Sequence, residues 1–424
     1  MSNSTFAELG LAEPLRRALS AENYLVPTPI QAEAIPLLLA GPDMLGVAQT
    51  GTGKTAAFGL PLLQLLAANR EVPAPRQVRA LILSPTRELT IQINEALVRY
   101  GRHMGLRTAA IVGGANQNPQ VKALARGVDI LVATPGRLLD LMQQRHVALG
   151  KARFLVLDEA DRMLDMGFIR DVRKIIATLP RERQSLLFSA TMPTNVQGLA
   201  AEILKNPARV DIAPKTMTAD RIDQHVVFVS AGDKRSLLAT LLKRDAAMSR
   251  VIVFTRTKRG ASRVAENLDA SGIAAEAIHG NKSQSARQRA LDKFRRGEAR
   301  VLVATDVASR GIDVDGITHV INYELPADPL SYVHRIGRTA RAGAEGIALS
   351  FCDGAEREAL RDIEKHTRRP LAVLEGPNFP RSPADAKPGS PKPRRGGDNH
   401  RRPPSRNQKQ GHGFKPPVAW AAGS

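Results

Sequence analysis

The chain has 424 residues, 43% of them hydrophobic and 24% charged, so it can bury sizeable cores and is neither collagen, coiled-coil rod nor wholly disordered. Sixty-one basic against 41 acidic residues give +20 at pH 7, an excess that calls for a polyanionic partner, nucleic acid or an anionic membrane surface. No stretch reaches the ~18 consecutive apolar residues of a spanning helix, which turns that charge toward nucleic acid.

At a typical domain size of about 150 residues, the length suggests two or three domains. The first residues, MSNSTFAELG, have neither a basic n-region nor an apolar h-region, so no secretory signal is expected. Cys352 stands alone, which excludes an internal disulfide and a cysteine-based zinc site, and a reducing cytoplasm is the expected compartment.

In chain order, the first distinctive segment is AQTGTGKT at 48–55, followed by the helix-like AAFGLPLLQLL. Short apolar runs rich in Val, Ile and Leu then recur, each ending in a small polar cluster: ALILSPT (80–86), DILVATP (129–135), FLVLDEAD (154–161) and SLLFSAT (185–191). The pattern pauses between about 205 and 222, where a domain boundary is expected. It resumes with RVIVFTRT (250–257) and RVLVATD (300–306), and the run IALSFC makes Cys352 a buried strand residue. Runs that do not alternate read as strands buried on both faces, hence a parallel sheet. Segments of helical spacing, such as IQINEALVRYGRHM and KRGASRVAENLDASG, lie between them, which predicts a doubly wound α/β fold. The likeness of DILVATPGR to RVLVATDVASRG hints that one half duplicates the other.

Three of the polar clusters carry chemistry. In AQTGTGKT, Gly51 and Gly53 permit a loop whose backbone N–H groups turn inward on phosphates, Lys54 reaches the β/γ-phosphates, and the Thr55 hydroxyl can hold Mg²⁺. In LVLDEAD, a carboxylate at the end of a buried strand can hold that Mg²⁺ and a neighbour can position water, with Asp158, Glu159 and Asp161 as the candidates. In HRIGRTARAG (334–343), Arg335, Arg338 and Arg341 recur every third residue, a fork of guanidiniums suited to charge developing on a transferred phosphoryl group.

Together these segments resemble the DEAD-box RNA helicases, and among them the bacterial RhlE-type group, over residues 6 to about 370. PTPIQ (27–31), with Phe6 upstream, resembles the family's adenine-sensing motif. PTRELT (85–90), GG (113–114) and TPGR (134–137) resemble its RNA-backbone motifs, and SAT (189–191) its coupling motif. FTRTK (254–258), the Gln284/Arg287 pair and ATDVASRGID (304–313) resemble motifs of its second domain. The resemblance implies two tandem RecA-like doubly wound parallel-sheet domains, at 1–210 and 222–372, and a cytoplasmic ATP-dependent RNA helicase using ATP and Mg²⁺.

The resemblance also implies roles. Gln31 would bind the adenine edge and Tyr24 would stack on its ring. Ala48, Gln49, Thr50, Gly51, Thr52, Gly53, Lys54 and Thr55 would cradle the phosphates, and Asp313 would contact the ribose. Asp158 with Thr55 would hold Mg²⁺, Glu159 would orient water, and Arg338 and Arg341 would act as arginine fingers. Ser189 and Thr191 would couple the phosphate site to the RNA site. Thr86, Arg87, Gly114, Thr134, Arg137, Thr255, Thr305 and Arg310 would line the path of single-stranded or short duplex RNA, held by its backbone. Thr90, Ser309 and Ala340 depart from the family pattern, Ala340 replacing the usual glycine directly between the two fingers. An ATP-gated RNA clamp or scaffold with little strand separation is the competing reading of the same motifs.

Residues 373–424 are expected to form a disordered basic tail. The segment 381–424 carries 10 Lys/Arg, 2 Asp/Glu, 8 Pro and 6 Gly but no Leu or Ile, too little apolar surface to offset chain entropy. Its +8 leaves +12 for the rest of the chain. With Trp420 for stacking, the tail could tether RNA and dock ribosomal or RNA-decay partners.

Overall fold

The structure, a computed structural model, describes residues 5–49, 51–212, 222–306, 314, 316–340 and 345–374. The apolar runs form two seven-stranded sheets in which every pairing is parallel. The first comprises β1 (Met44–Val47), β2 (Val78–Leu83), β3 (Thr108–Ile111), β4 (Val128–Ala133), β5 (Phe154–Leu157), β6 (Gln184–Ser189) and β7 (Ala208–Asp211). The second comprises β8 (Ile222–Phe228), β9 (Val251–Thr255), β10 (Ala275–Ile278), β11 (Val301–Thr305), β12 (His319–Asn322), β13 (Gly346–Cys352) and β14 (Ala372–Val373).

Successive side chains of a strand leave opposite faces, and here both faces are covered by helices, so both must be apolar. In the first sheet, Ile82, Val132, Val156 and Phe188 join one core with Phe58 and Leu62 of the helix Lys54–Ala68. Their neighbours Leu81, Leu83, Leu131, Leu155 and Leu187 join the other, with Leu138, Leu141 and Leu199. The second sheet divides likewise: Val251, Val253, Val301 and Val303 on one face, Ile252, Phe254, Leu302 and Ala304 on the other. At about 1.5–3 kcal/mol for each fully buried large aliphatic or aromatic side chain, these faces rather than helix propensity hold the layers together.

The strand orders are β3-β4-β2-β5-β6-β1-β7 and β10-β11-β9-β12-β13-β8-β14, the same permutation twice. β4 and β11, whose sequences resemble one another, occupy equivalent places, so the hint of duplication is a topological fact. The runs named from sequence form β2, β4, β5, β6, β9 and β11, and Cys352 ends β13, buried. One difference arises in the stretch read as a pause. Ala208–Asp211 forms an edge strand paired only with β1, and of its side chains only Val210 is buried, so its apolar signal is one residue deep. The basic tail beyond residue 374 lies outside the described residues, among which no helix is long and apolar enough to cross a membrane.

Candidate active site

The chemistry gathers beyond the carboxyl ends of β1, β6 and β5, neighbours in that order. This is where an open α/β sheet presents its ligand crevice. β1 must lie close to β6: a β-carbon at Gly46 would stand 2.6 Å from the Phe188 ring. The chain then turns through the glycine loop, where Gly51 and Gly53 adopt φ of +83° and +91°, conformations that side chains rarely permit. Within it the Thr52 hydroxyl donates to the Gln49 carbonyl at 2.8 Å, and Ala48 is buried with its N–H on the Ser189 carbonyl at 3.0 Å. Thr50 lies outside the described residues. Lys54, at the first turn of Lys54–Ala68, is buried and donates through Nζ to the Ala48 carbonyl at 2.9 Å, and Thr55 follows, half-buried.

Gln31 is 1% exposed and braces this loop. Its Oε1 accepts from the Thr28 N–H at 3.0 Å and its Nε2 donates to the Gly53 carbonyl at 3.1 Å. A β-carbon on Gly53 would lie 2.4 Å from that amide nitrogen, so glycine is required here for space as well as for φ. Tyr24 stands edge-to-face with Tyr100, ring centroids 5.9 Å apart, and its hydroxyl lies 3.2 Å from that of Tyr100. Sequence reading missed that second tyrosine, which lies 76 residues away.

At the end of β5, Asp158 and Glu159 are both buried. Burial pushes the Asp158 carboxyl up to about 6, against the pull of the Lys54 ammonium and with the push of Glu159. Among the described residues no group of three acidic, His or Cys side chains gathers to hold a metal. A buried, desolvated carboxylate at the end of β5 and a half-buried threonine hydroxyl in the turn after the glycine loop are nonetheless donors of the kind that suits Mg²⁺. That ion is commonly held by one or two carboxylates while keeping waters and sharing phosphate oxygens. Glu159 sits in the left-handed region at φ +55°. Its Oε2 meets Arg162 at 2.6 Å, while its Oε1 is buried without a hydrogen bond among the described residues.

Asp161 joins this cluster to β6. Its Oδ2 accepts from the N–H and the hydroxyl of Thr191, both at 2.9 Å, and its own N–H donates to Ser189 Oγ at 3.3 Å. Ser189 Oγ in turn donates to the Thr191 carbonyl at 2.7 Å. Ser189 and Thr191 are thus tied to the acidic cluster through Asp161, which the sequence offered only as a candidate Mg²⁺-holding or water-positioning carboxylate.

A second group lies at the ends of β2, β3 and β4. Thr86 caps the helix Arg87–Tyr100, accepting from the Leu89 N–H at 3.3 Å. The Arg87 guanidinium lies against the glycine pair: a β-carbon on Gly114, at φ +69°, would stand 2.3 Å from it. Thr134 is buried just before the helix Pro135–Gln143, from which Arg137 donates to the Ala115 carbonyl at 3.5 Å. Burial and the charge of Arg287 hold Arg87 below its ordinary pKa, with Arg137 adding to the effect. Arginines placed together can receive phosphate oxygens through charge-assisted hydrogen bonds.

Arg287 belongs to the second sheet's half of the chain. Glu88 Oε1 accepts from Arg287 Nε at 2.7 Å and from Gln284 Nε2 at 3.1 Å, all three side chains buried. The Gln284/Arg287 pair therefore reaches across the halves to the helix that carries Arg87. In the second half Thr255 is buried, its hydroxyl donating to the Thr257 carbonyl at 3.2 Å, and Thr305 is buried at the end of β11. Arg310, Asp313 and Arg341 lie outside the described residues.

The arginine triplet divides. Arg335, read from sequence as part of a guanidinium fork, is 1% exposed and spent on its own domain. It grips Asp306 at 2.6 and 2.8 Å, donates to Asn322 Oδ1 and the Glu324 carbonyl, and lies over the Phe254 ring. Arg338 is buried with Nε donating to the His334 carbonyl at 3.3 Å. Ala340, where a glycine is usual, has φ +55°.

Comparison with known proteins agrees with this geometry. The DEAD/DEAH box helicase family matches residues 28–199 and the helicase conserved C-terminal domain matches residues 233–343. A DEAD-box ATP-dependent RNA helicase CshA of Bacillus cereus is 44% identical over 376 residues, 89% of this chain and 70% of that protein. An ATP-dependent RNA helicase CshA of Limosilactobacillus reuteri is 44% identical over 373 residues, 88% of this chain and 74% of that protein. Saccharomyces cerevisiae Dbp5 bound to RNA and ADP BeF3 superimposes with a TM-score of 0.74 at 33% identity, covering 87% of this chain and 95% of that one. The family matches, the relatives and the twin sheets agree: the chain belongs to the DEAD/DEAH-box helicases.

Proposed function

We propose that this protein is an ATP-dependent RNA helicase that locally unwinds short duplexes or remodels RNA–protein complexes. The observation that carries the reading is the division of labour between the two halves. The glycine loop, Asp158 and Glu159 lie on one sheet, whereas Arg338 lies on the other, and Glu88 joins the two through Gln284 and Arg287. ATP seated on the first half and touched by Arg338 and Arg341 of the second favours closure, and RNA lying along both favours the same state. The two ligands then raise each other's affinity, by linkage.

In this reading Gln31 and Tyr24 receive the adenine, Lys54 and the loop N–H groups the phosphates, and Asp313 the ribose. Asp158 and Thr55 hold Mg²⁺, which when bound neutralises phosphate charge, and Glu159 orients the attacking water. Ser189, Thr191 and Asp161 pass the state of the phosphate site toward Thr86, Arg87, Gly114, Thr134, Arg137, Thr255, Thr305 and Arg310, which hold the RNA backbone. Domains at 1–210 and 222–372 with a basic tail at 373–424, a cytoplasmic location, placement in the RhlE-type group and tail-borne ribosomal or RNA-decay partners complete the proposal. The tail's composition supports its part in binding, whereas the relatives described above carry the name CshA.

The test is steady-state ATP hydrolysis with and without single-stranded RNA, with Glu159→Gln as the control. RNA stimulation that this substitution abolishes is expected. Turnover indifferent to every RNA tried would sink the helicase reading.

A further inference from the structure

Arg162 follows the acidic cluster directly and occupies the first turn of the six-residue helix Ala160–Asp165. A cation there faces the positive end of the peptide dipoles and gains nothing from them. Yet the side chain is withdrawn from water, 10% exposed, and the residue's own N–H is taken by Asp161 Oδ1 at 3.0 Å. What meets the guanidinium is Glu159: NH1 lies 2.6 Å from Oε2. The other oxygen of the same carboxylate, Oε1, is buried and accepts nothing among the described residues. A buried charged acceptor is seldom left unpaired without a functional reason. The backbone of Glu159 is itself held in the left-handed region, so main chain and one oxygen are both pinned while one acceptor stays open.

We propose that Arg162 is a positioning residue for hydrolysis, holding Oε2 of Glu159 so that Oε1 alone remains to receive the attacking water. The inference rests on the proposed role of Glu159 in orienting that water. Arginine suits the task because its planar fork fixes a direction, whereas a lysine ammonium supplies charge without one. A plain structural staple would make a different signature, loss of stability with turnover per folded molecule unchanged.

The experiment uses the full chain with saturating single-stranded RNA. It compares Arg162→Ala and Arg162→Lys for kcat, for affinity toward a non-hydrolysable ATP analogue, and for melting temperature. Arg162→Ala is expected to lower kcat about 10- to 100-fold, the range found when the hydrogen-bonding partner that orients a metal ligand is removed. Analogue affinity should stay within about twofold, since the interaction acts on the transition state and not on binding. Arg162→Lys should fall between, and its retained charge keeps the test open where the alanine variant is unstable. In a Glu159→Gln background, followed under single-turnover conditions, Arg162→Ala should add no further loss, because the two act as one unit. Unchanged or raised kcat, a loss of analogue affinity matching the loss in kcat, or additive losses in the double variant would each overturn the inference. An inactive Glu159→Gln with a normal Arg162→Ala defeats the positioning role alone, whereas an active Glu159→Gln defeats the water-orienting role beneath it.

Discussion

Ala340 is, with Arg368, one of two non-glycine residues held at positive φ among those described in the second half. Its φ of +55° is a conformation that an alanine adopts at a cost of about 1–2 kcal/mol and a glycine adopts freely. The surroundings enforce it. The Thr339 hydroxyl is anchored on the Ile317 and Thr318 carbonyls, and Gly346 packs so closely that a β-carbon there would lie 2.7 Å from the Ala340 nitrogen. Ala340→Gly should therefore stabilise the chain by up to about 1 kcal/mol, the relief of strain outweighing the added freedom of the unfolded chain. Ala340→Val should destabilise it further, because a β-branched side chain tolerates positive φ still less. Urea unfolding midpoints check both, and a glycine variant less stable than the parent would show that Ala340 is at ease. Arg335 gives a lesson on the same scale. By spacing alone it is one of three recurring arginines, of which the resemblance makes fingers only of Arg338 and Arg341; Asp306 occupies its fork and the Phe254 ring its face.

Among the elements, the helix Arg87–Tyr100 does the most to connect the site. Its first turn carries Arg87 against Gly114 and Glu88 on Gln284 and Arg287. Its last turn and the residues after it hold the segment before the adenine motif, through Tyr100 on Tyr24 and through Arg99 and Arg102 on Glu22. The Glu88–Arg287 pair is buried, and removing one member of such a pair leaves an uncompensated charge at a cost of about 3–5 kcal/mol. Glu88→Ala should therefore weaken the closed arrangement more than either half by itself. The expected result is at least a roughly tenfold fall in the factor by which RNA tightens ATP binding, a coupling that is typically worth 1–3 kcal/mol. ATP affinity without RNA should hold. Equilibrium titration of a fluorescent nucleotide with and without RNA reads both, and an unchanged coupling factor would leave Glu88 a local contact only.

For the whole molecule, the distribution of charge is the property to test. Of the +20, the segment 381–424 holds +8 in a composition that buries little. If it contacts RNA phosphates, truncation after residue 375 should weaken binding and flatten the salt dependence by about one unit of log–log slope per lost phosphate contact. RNA titrations at several salt concentrations measure this, and an identical slope would remove the tail from RNA binding. ATP turnover at saturating RNA should change little, since the glycine loop, the acidic cluster and Arg338 all lie before residue 375.

Much of this was legible in the sequence because the signals are local. Parallel strands buried on both faces must be apolar along their whole length, so β2, β4, β5, β6, β9 and β11 announce themselves in single runs, and the loops beyond them hold the phosphate-binding and acidic motifs. Edge strands such as β3 and β7 bury too few side chains to leave a comparable mark. Partnerships were not legible. Glu88 finds Arg287 across 199 positions, Tyr24 finds Tyr100 across 76, and Asp161 finds Thr191 across 30. Residue type alone did not separate Arg335, spent on packing, from Arg338. A side chain's identity and its neighbours along the chain set what chemistry it can do. Which partner consumes that capacity, and which oxygen of Glu159 stays open, is decided only when the sheets bring distant strand ends together.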